Sequence, residues 1–222
     1  LIDYMVRGFD PRQERDVVFI PVGVNYDRVL EDRTLLLSGD PQAPRPGIWT
    51  AARNTFSFLA RNLWLRLRNE WRRFGYAAVQ FGRPLSLREY CRTRGLDFCD
   101  ADETRHREAV AQLGDELLAR VASNIPVLSV PLIALTLLDD PARRYTALEL
   151  KAALQARLDR LPRDGGRYLI YDAASSFAID NALAMLCTRR LLLIEGDVYH
   201  MNPAEVALVE YYARSIAHLF AT

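Results

Sequence analysis

Residues 16–29 read DVVFIPVGVNYDRV, and this run decides the fold of the first part of the chain. The β-branched and aromatic residues of Val17–Val24 predict a buried strand, and polar residues from Asn25 to Arg28 follow at its carboxyl end. In α/β proteins, such strand ends present side chains to a ligand cleft. Pro21 interrupts the run, which indicates either a plain edge strand or a point where the backbone opens toward a ligand.

The composition is that of a globular protein with a substantial core. The chain has 222 residues, of which 50% are hydrophobic and 26% charged, and its net charge is +1, so nothing global favours nucleic acid. Cys91, Cys99 and Cys187 have no zinc or disulfide spacing, and we expect a reduced compartment, no metal and no cofactor. Because residues 1–6 resemble part of a helix and the first residue is not Met, we expect a fragment.

Local signals place the next elements of an α/β fold. Residues 76–81 (YAAVQF) predict a second strand. Ser86 followed by Glu89 is a capping box and predicts the start of a short helix. A longer helix is expected over about 104–123, where apolar residues recur at helical spacing.

The last third of the sequence alternates helix signals with a hairpin signal. Thr146 and Glu149 form a second capping box. A further helix is expected over about 176–190, followed by a strand pair over 191–201 around a Gly-containing turn. Asn202 then provides the N-cap of the last helix.

Residues 121–138 carry no charge, and this segment decides whether the chain could cross a membrane. A spanning helix needs about 20 predominantly apolar residues. This run is marginal in length and contains Asn124, Pro126 and Pro131. We expect a buried core helix or a membrane-surface segment rather than a span.

The histidines do not form a recognisable catalytic motif. Neither His106 nor His218 has a carboxylate residue five positions later, and His200 reaches Glu205 only across a helix start. We expect His106 at the surface and His218 hydrogen-bonded on the last helix. The sequence also lacks a Gly-x-Ser-x-Gly elbow and a phosphate-binding glycine loop, so no catalytic residue is assigned.

Three segments in order resemble one family. They are IPVGVNYDRVLE (residues 20–31), VQFGRPLSL (79–87) and YYARSIAHL (211–219). They are similar to the fourth conserved block, a later strand and turn, and a C-terminal helix of the glycerol-3-phosphate and dihydroxyacetone-phosphate acyltransferases. The resemblance covers only the C-terminal portion of that family.

The resemblance implies a function in phospholipid biosynthesis. The family transfers a fatty acyl group from acyl-CoA or acyl-carrier protein to the sn-1 hydroxyl of glycerol 3-phosphate. Its fourth block lies on the substrate side of the active site. By this likeness the substrate-binding residues are Ile20, Pro21, Val22, Tyr26, Asp27 and Arg28.

The blocks that carry the family's catalytic His-x-x-x-x-Asp and its phosphate-binding arginines are absent from this sequence. We therefore expect the chain alone to be inactive and its partner to be the missing catalytic portion, N-terminal to Leu1. The implied architecture is the end of an acyltransferase-type mixed sheet over residues 1–90. A mostly helical C-terminal region, with the hairpin near 191–201, follows over 91–222.

A basic, aromatic helix is predicted over residues 49–73. Such a helix either lies on an anionic bilayer or packs on the sheet with a solvated arginine face. In the first case we expect a peripheral protein at the cytoplasmic face of the cell membrane. The membrane-surface candidates are Trp49, Arg61, Trp64, Arg68, Trp71 and Arg72.

The element order over residues 146–201 allows a different function. Helix, turn, helix and strand pair follow one another as in a winged-helix module, which would make this third a non-catalytic interaction domain. The second helix, over 177–186, is too apolar to read bases, so we expect no nucleic acid partner.

Overall fold

The architecture is mixed α/β with a helical C-terminal region, as predicted. The computed structural model describes residues 1–38, 75–99, 102–161 and 176–221. Its helices are α1 (Ile2–Val6), α2 (Asp32–Ser38), α3 (Leu87–Arg94), α4 (Glu103–Ala122), α5 (Ser129–Asp139), α6 (Ala147–Leu158), α7 (Ser176–Thr188) and α8 (Val206–Ala217). Its strands are β1 (Val18–Phe19), β2 (Val22–Tyr26), β3 (Ala77–Phe81), β4 (Leu85–Ser86), β5 (Tyr145–Thr146), β6 (Leu192–Glu195) and β7 (Val198–Met201).

The first predicted strand is divided in two at Pro21. Strand β1 pairs with β4 and strand β2 pairs with β3, both antiparallel, with Val22 opposite Phe81 and Tyr26 opposite Ala77. A proline has no N–H to donate to a ladder, so it separates the two pairings. Its carbonyl oxygen accepts a hydrogen bond of 2.8 Å from the Gly82 N–H.

The two faces of the β2–β3 pair differ in what covers them. A Cβ atom built on Gly23 would lie 2.0 Å from the backbone oxygen of Asn124, so the chain after α4 packs directly on one face. The other face carries large apolar side chains that remain exposed to solvent. We call it the apolar sheet face; its residues are Val22, Val24, Tyr26, Val79 and Phe81.

The charge-free segment contains a buried core helix, which is one of the two alternatives predicted for it. Helix α5 packs against α8, and Val130, Leu132 and Ile133 are fully buried between its neighbours. Within the part of the chain that the structure describes, no helix combines the length and apolarity needed to cross a bilayer.

The capping box at Thr146 and the hairpin over 191–201 are both confirmed. The Thr146 side chain accepts the Glu149 N–H, and the Glu149 carboxylate accepts the Thr146 N–H. Strands β6 and β7 form the hairpin, and β5 adds to it in the antiparallel order β5–β7–β6. Among the described elements, α5, β5, α6, α7 and the β6–β7 hairpin follow one another in the order of a winged-helix module.

Two hydrophobic clusters stabilise the described residues. One contains buried residues between Val127 and Ile216, mainly from α5 to α8. The other contains buried residues between Val6 and Leu113, mainly from α1, α3 and α4. The domain boundary near residue 90 stays a prediction.

Candidate functional site

A cavity of about 490 Å³ lies where the end of β2 meets the last helix. It is bounded by β2, the segment that leads into α2, α2 itself and α8. Two of the sequence motifs, residues 20–31 and 211–219, therefore contribute to the same cavity. Its lining residues are Asn25, Tyr26, Val29, Leu36, Ala207, Glu210, Tyr211, Tyr212, Arg214 and Ser215.

Helix α8 builds one wall because its two faces have different partners. Residues spaced three and four apart share one side of an α-helix. Leu208, Val209, Tyr212, Ala213 and Ile216 are buried in the core. The neighbouring stripe lines the cavity, and it consists of Ala207, Glu210, Tyr211, Arg214 and Ser215.

The charged groups in the lining pair with each other. The Arg214 guanidinium donates to the Glu210 carboxylate at 3.0 Å, across one turn of α8; the Arg214 side chain is largely exposed and that of Glu210 is partly exposed. The Tyr211 ring packs edge-to-face on the Tyr212 ring, with centroids 5.4 Å apart. The cavity is therefore mainly apolar, with a neutral ion pair near solvent.

A buried polar cluster lies behind the cavity and joins three distant segments. Arg189 and Tyr212 both donate to the Asp32 carboxylate. The Tyr212 hydroxyl also accepts from the Arg189 guanidinium at 2.8 Å and from the Val29 N–H at 3.2 Å. Burial, and then the hydrogen bond to Asp32, raises the pKa of Tyr212, so its hydroxyl stays a neutral donor. We call these residues the Asp32–Arg189–Tyr212 cluster.

Asp27, predicted to bind substrate, is turned into the protein. Its carboxylate accepts the Val130 N–H at 2.9 Å and the Tyr76 N–H at 3.0 Å. Helix α5 has no side-chain cap from its own N-cap residue Leu128, so Asp27 supplies the acceptor from another element. Burial raises the pKa of Asp27, although both N–H groups favour the charged form.

The other predicted substrate residues are spread over three places. Tyr26 lines the cavity. Ile20 and Val22 are exposed beside or on the apolar sheet face. Pro21 is buried, and Arg28 is half-buried at the end of β2. The membrane-surface candidates, from Trp49 to Arg72, lie outside the described residues.

His106 is buried, so its predicted surface position is wrong. It is 6% exposed, and its Nε2 lies 2.7 Å from the Asp3 carboxylate while Nδ1 lies 3.3 Å from the Phe98 carbonyl oxygen. Both ring nitrogens are occupied, so the pair ties α1 to α4 rather than acting on a substrate. The signal was present: His106, Ala109 and Leu113 share one helical stripe, although charged residues flank the histidine.

The other histidines also have structural contacts. His218 Nε2 lies 2.9 Å from the Ala122 carbonyl oxygen, as the hydrogen-bonded prediction expected. His200 Nε2 lies 3.8 Å from the carboxylate of Glu195 on the other strand of the hairpin, where Leu193 is the residue directly opposite His200. Among the described residues, no three His, Cys, Asp or Glu side chains cluster as metal ligands.

Comparisons with known proteins give one consistent result. The family model described as "Glycerol-3-phosphate acyltransferase C-terminal region" matches residues 53–222. The glycerol-3-phosphate acyltransferase of Pseudomonas syringae pv. tomato is 27% identical over 234 residues, covering 97% of this chain and 26% of that protein. The enzymes of that name from Pseudoalteromonas translucida and Aeromonas hydrophila are each 26% identical over 98% of this chain and 26% of their own length. The chain thus spans about a quarter of the length of the curated relatives it matches.

Proposed function

Since the chain belongs to the glycerol-3-phosphate acyltransferase C-terminal region family, we propose that it completes an enzyme that acylates the sn-1 hydroxyl of glycerol 3-phosphate. The acyl donor is acyl-CoA or acyl-carrier protein. The family itself confirms the resemblance that the three sequence motifs indicate. The observation that carries the proposal is the family match together with the meeting of two of those motifs at one cavity.

The proposed role is non-catalytic. Acyl transfer to an alcohol needs a general base, most often a histidine with a free ring nitrogen near the substrate. His106 uses both ring nitrogens inside the fold, and His218 lies at the end of α8 against Ala122. His200 has a buried Nδ1 without a hydrogen-bond partner, but it lies in the β6–β7 hairpin and does not line the cavity. The catalytic histidine of our proposal belongs to the N-terminal portion of the enzyme.

The apolar sheet face supports a non-catalytic role for this chain beside a catalytic N-terminal portion. Val79 is 52% and Phe81 71% exposed, although they stand opposite Val24 and Val22 in a regular ladder. Contiguous exposed apolar surface is typical of interaction sites. Within the described residues, β2 pairs along one edge only. We propose that the N-terminal portion covers this face and extends the sheet.

Ile20, Pro21, Val22, Tyr26, Asp27 and Arg28 keep their proposed substrate-side role at this boundary. Tyr26 acts directly from the cavity wall. Asp27 acts indirectly, since its carboxylate holds the start of α5 against the strand end. A peripheral position on the anionic cytoplasmic face of the membrane, through Trp49, Arg61, Trp64, Arg68, Trp71 and Arg72, is also proposed.

A chimaeric enzyme tests the function. This chain replaces the corresponding C-terminal quarter of the Pseudomonas syringae relative, and acylation of glycerol 3-phosphate is measured by mass spectrometry. We expect turnover by the chimaera and none by the chain alone. Turnover by the chain alone, or a folded chimaera without turnover, contradicts the proposal.

A matched pair of variants tests the apolar sheet face. Val79→Asp places a charge in the proposed interface, and we expect it to abolish turnover by the chimaera. Leu118→Asp changes a side chain that is 68% exposed elsewhere, on α4, and serves as the control. Equal activity of the two variants would contradict the proposal that the N-terminal portion covers the apolar sheet face.

A non-catalytic interaction module is the second candidate, favoured by the β5–β7–β6 order. Recognition of DNA is disfavoured because the described exposed residues of α7 include Phe177, Asp180 and Asn181 rather than a row of cations. A salt-dependent electrophoretic shift with duplex DNA would reverse that conclusion.

A further inference from the structure

We propose that the cavity beside α8 binds a single unbranched hydrocarbon chain, with the polar end of the ligand at the Glu210–Arg214 pair. The ligand class follows from the geometry of the cavity. Its identification as the fatty acyl chain of the donor, rather than a chain of a membrane lipid, rests on the proposed function.

The size and lining of the cavity suit such a ligand. Its volume of about 490 Å³ lies in the range of small-molecule sites, roughly 300–1,000 Å³. Val29, Leu36 and Ala207 contribute aliphatic surface, and Tyr26 and Tyr211 contribute aromatic rings. A hydrocarbon chain gains free energy from such walls through burial alone and needs no directed hydrogen bond.

The charges around the cavity favour a hydrocarbon over a phosphate. Binding a phosphate group requires cationic donors that it can reach. Arg214 is paired with Glu210 on the wall, and Arg189 is paired with Asp32 behind it. The Tyr212 hydroxyl is likewise engaged, by Asp32 and by the Val29 N–H.

The geometry of α8 offers a way to fill the cavity without disturbing the core. From Ala207 to Ser215 the cavity stripe runs about 12 Å along the helix. Ala207 is exposed and has the smallest side chain of this stripe, while the adjacent Leu208 is buried on the core side. Replacing Ala207 by tryptophan therefore adds bulk to the cavity and leaves the core face of α8 unchanged.

Binding of neutral alcohols to the 222-residue chain tests the proposal directly. Decanol, dodecanol and tetradecanol are titrated by calorimetry, with glycerol 3-phosphate and inorganic phosphate as polar comparisons. We expect the alcohols to bind and the phosphates not to, with affinity rising roughly fourfold per added methylene until the cavity is full. Absence of alcohol binding, or binding of the phosphates alone, overturns the proposal.

Two tryptophan variants locate the bound chain. Ala207→Trp should weaken alcohol binding about tenfold or more. Ala156→Trp, at an exposed alanine of α6 outside the cavity, should bind like the unmodified chain. If Ala207→Trp retains its circular dichroism spectrum and binds the alcohols normally, the hydrocarbon chain of the alcohol does not lie in this cavity and the proposal fails.

Competition identifies the source of the hydrocarbon chain. A long-chain acyl thioester that displaces dodecanol assigns the site to the acyl donor. Displacement only by vesicles of anionic phospholipid assigns it to a membrane lipid. These binding assays need no turnover, so a failed chimaera would contradict the proposed function while leaving this inference standing, and the reverse also holds.

Discussion

At the scale of single residues, the Tyr212 hydroxyl is hydrogen-bonded to Asp32, Arg189 and Val29 behind the cavity. Tyr212→Phe removes the donor to Asp32 and the acceptor of the Val29 N–H in one change. We expect a loss of about 1–3 kcal/mol in the free energy of unfolding, because buried partners are left unsatisfied. Urea denaturation measures it, and Tyr211→Phe, a half-buried neighbour, is the control. An equal loss in both variants would contradict this account.

Asp27 gives a prediction for the dependence of stability on pH. Its pKa is raised by burial, above the ordinary value of about 3.9 expected in the unfolded chain. The folded state therefore takes up the proton first as pH falls. The stability that Asp27 contributes is fully present below the unfolded pKa and is lost as pH rises through the folded pKa.

Asp27→Asn removes this titration, since asparagine cannot ionise. We expect the stability of the unmodified chain relative to Asp27→Asn to increase as pH falls from about 7 toward about 3.9, the ordinary pKa of an aspartate. Urea denaturation of both proteins at each pH measures the difference, in which the other carboxylates cancel. A difference that shrinks toward acid would show that the pKa is not raised.

At the scale of elements, the contact between β2 and the segment after α4 sets the sharpest steric limit. Gly23→Ala would place a methyl group 2.0 Å from the Asn124 backbone oxygen. We expect a loss of about 1–3 kcal/mol or more, as for overpacked cores, measured by thermal denaturation. Gly8→Ala, where nothing lies within 4 Å of the added atom, should be close to neutral.

The elements that the sequence predicted well are those whose signals are local. Thr146 and Glu149 are three residues apart, and a hairpin turn lies inside its own strand pair, so such signals survive folding unchanged. The sequence indicates a proline within the strand, but the change of pairing partner at Pro21 was not predicted.

The contacts that the sequence did not predict join residues far apart in the chain. Arg189 and Asp32 are 157 positions apart, and Tyr212 and Asp32 are 180 apart. No sequence periodicity connects such positions, so the Asp32–Arg189–Tyr212 cluster could not be predicted from the sequence. His106 differs, because its stripe with Leu113 was readable but its charged neighbours obscured it.

At the scale of the whole molecule, the two hydrophobic clusters should lose stability separately. Ile133→Ala and Leu113→Ala each remove a fully buried side chain, one from each cluster, and each should cost about 2–5 kcal/mol. We expect Ile133→Ala to lower the hydrogen-exchange protection of the backbone amides of α5 and α8. Leu113→Ala should lower the protection of α1, α3 and α4. An equal loss of protection in all helices with either variant would show one cooperative unit.

The Asp32–Arg189–Tyr212 cluster has a consequence for folding during translation of the chain. Asp32 is added to the growing chain 180 residues before Tyr212. The segment after β2 therefore cannot take its final anchored position until translation of α8 is complete. A nascent chain stalled before residue 206 would expose this segment to chaperones and proteases, and release of α8 would end that exposure.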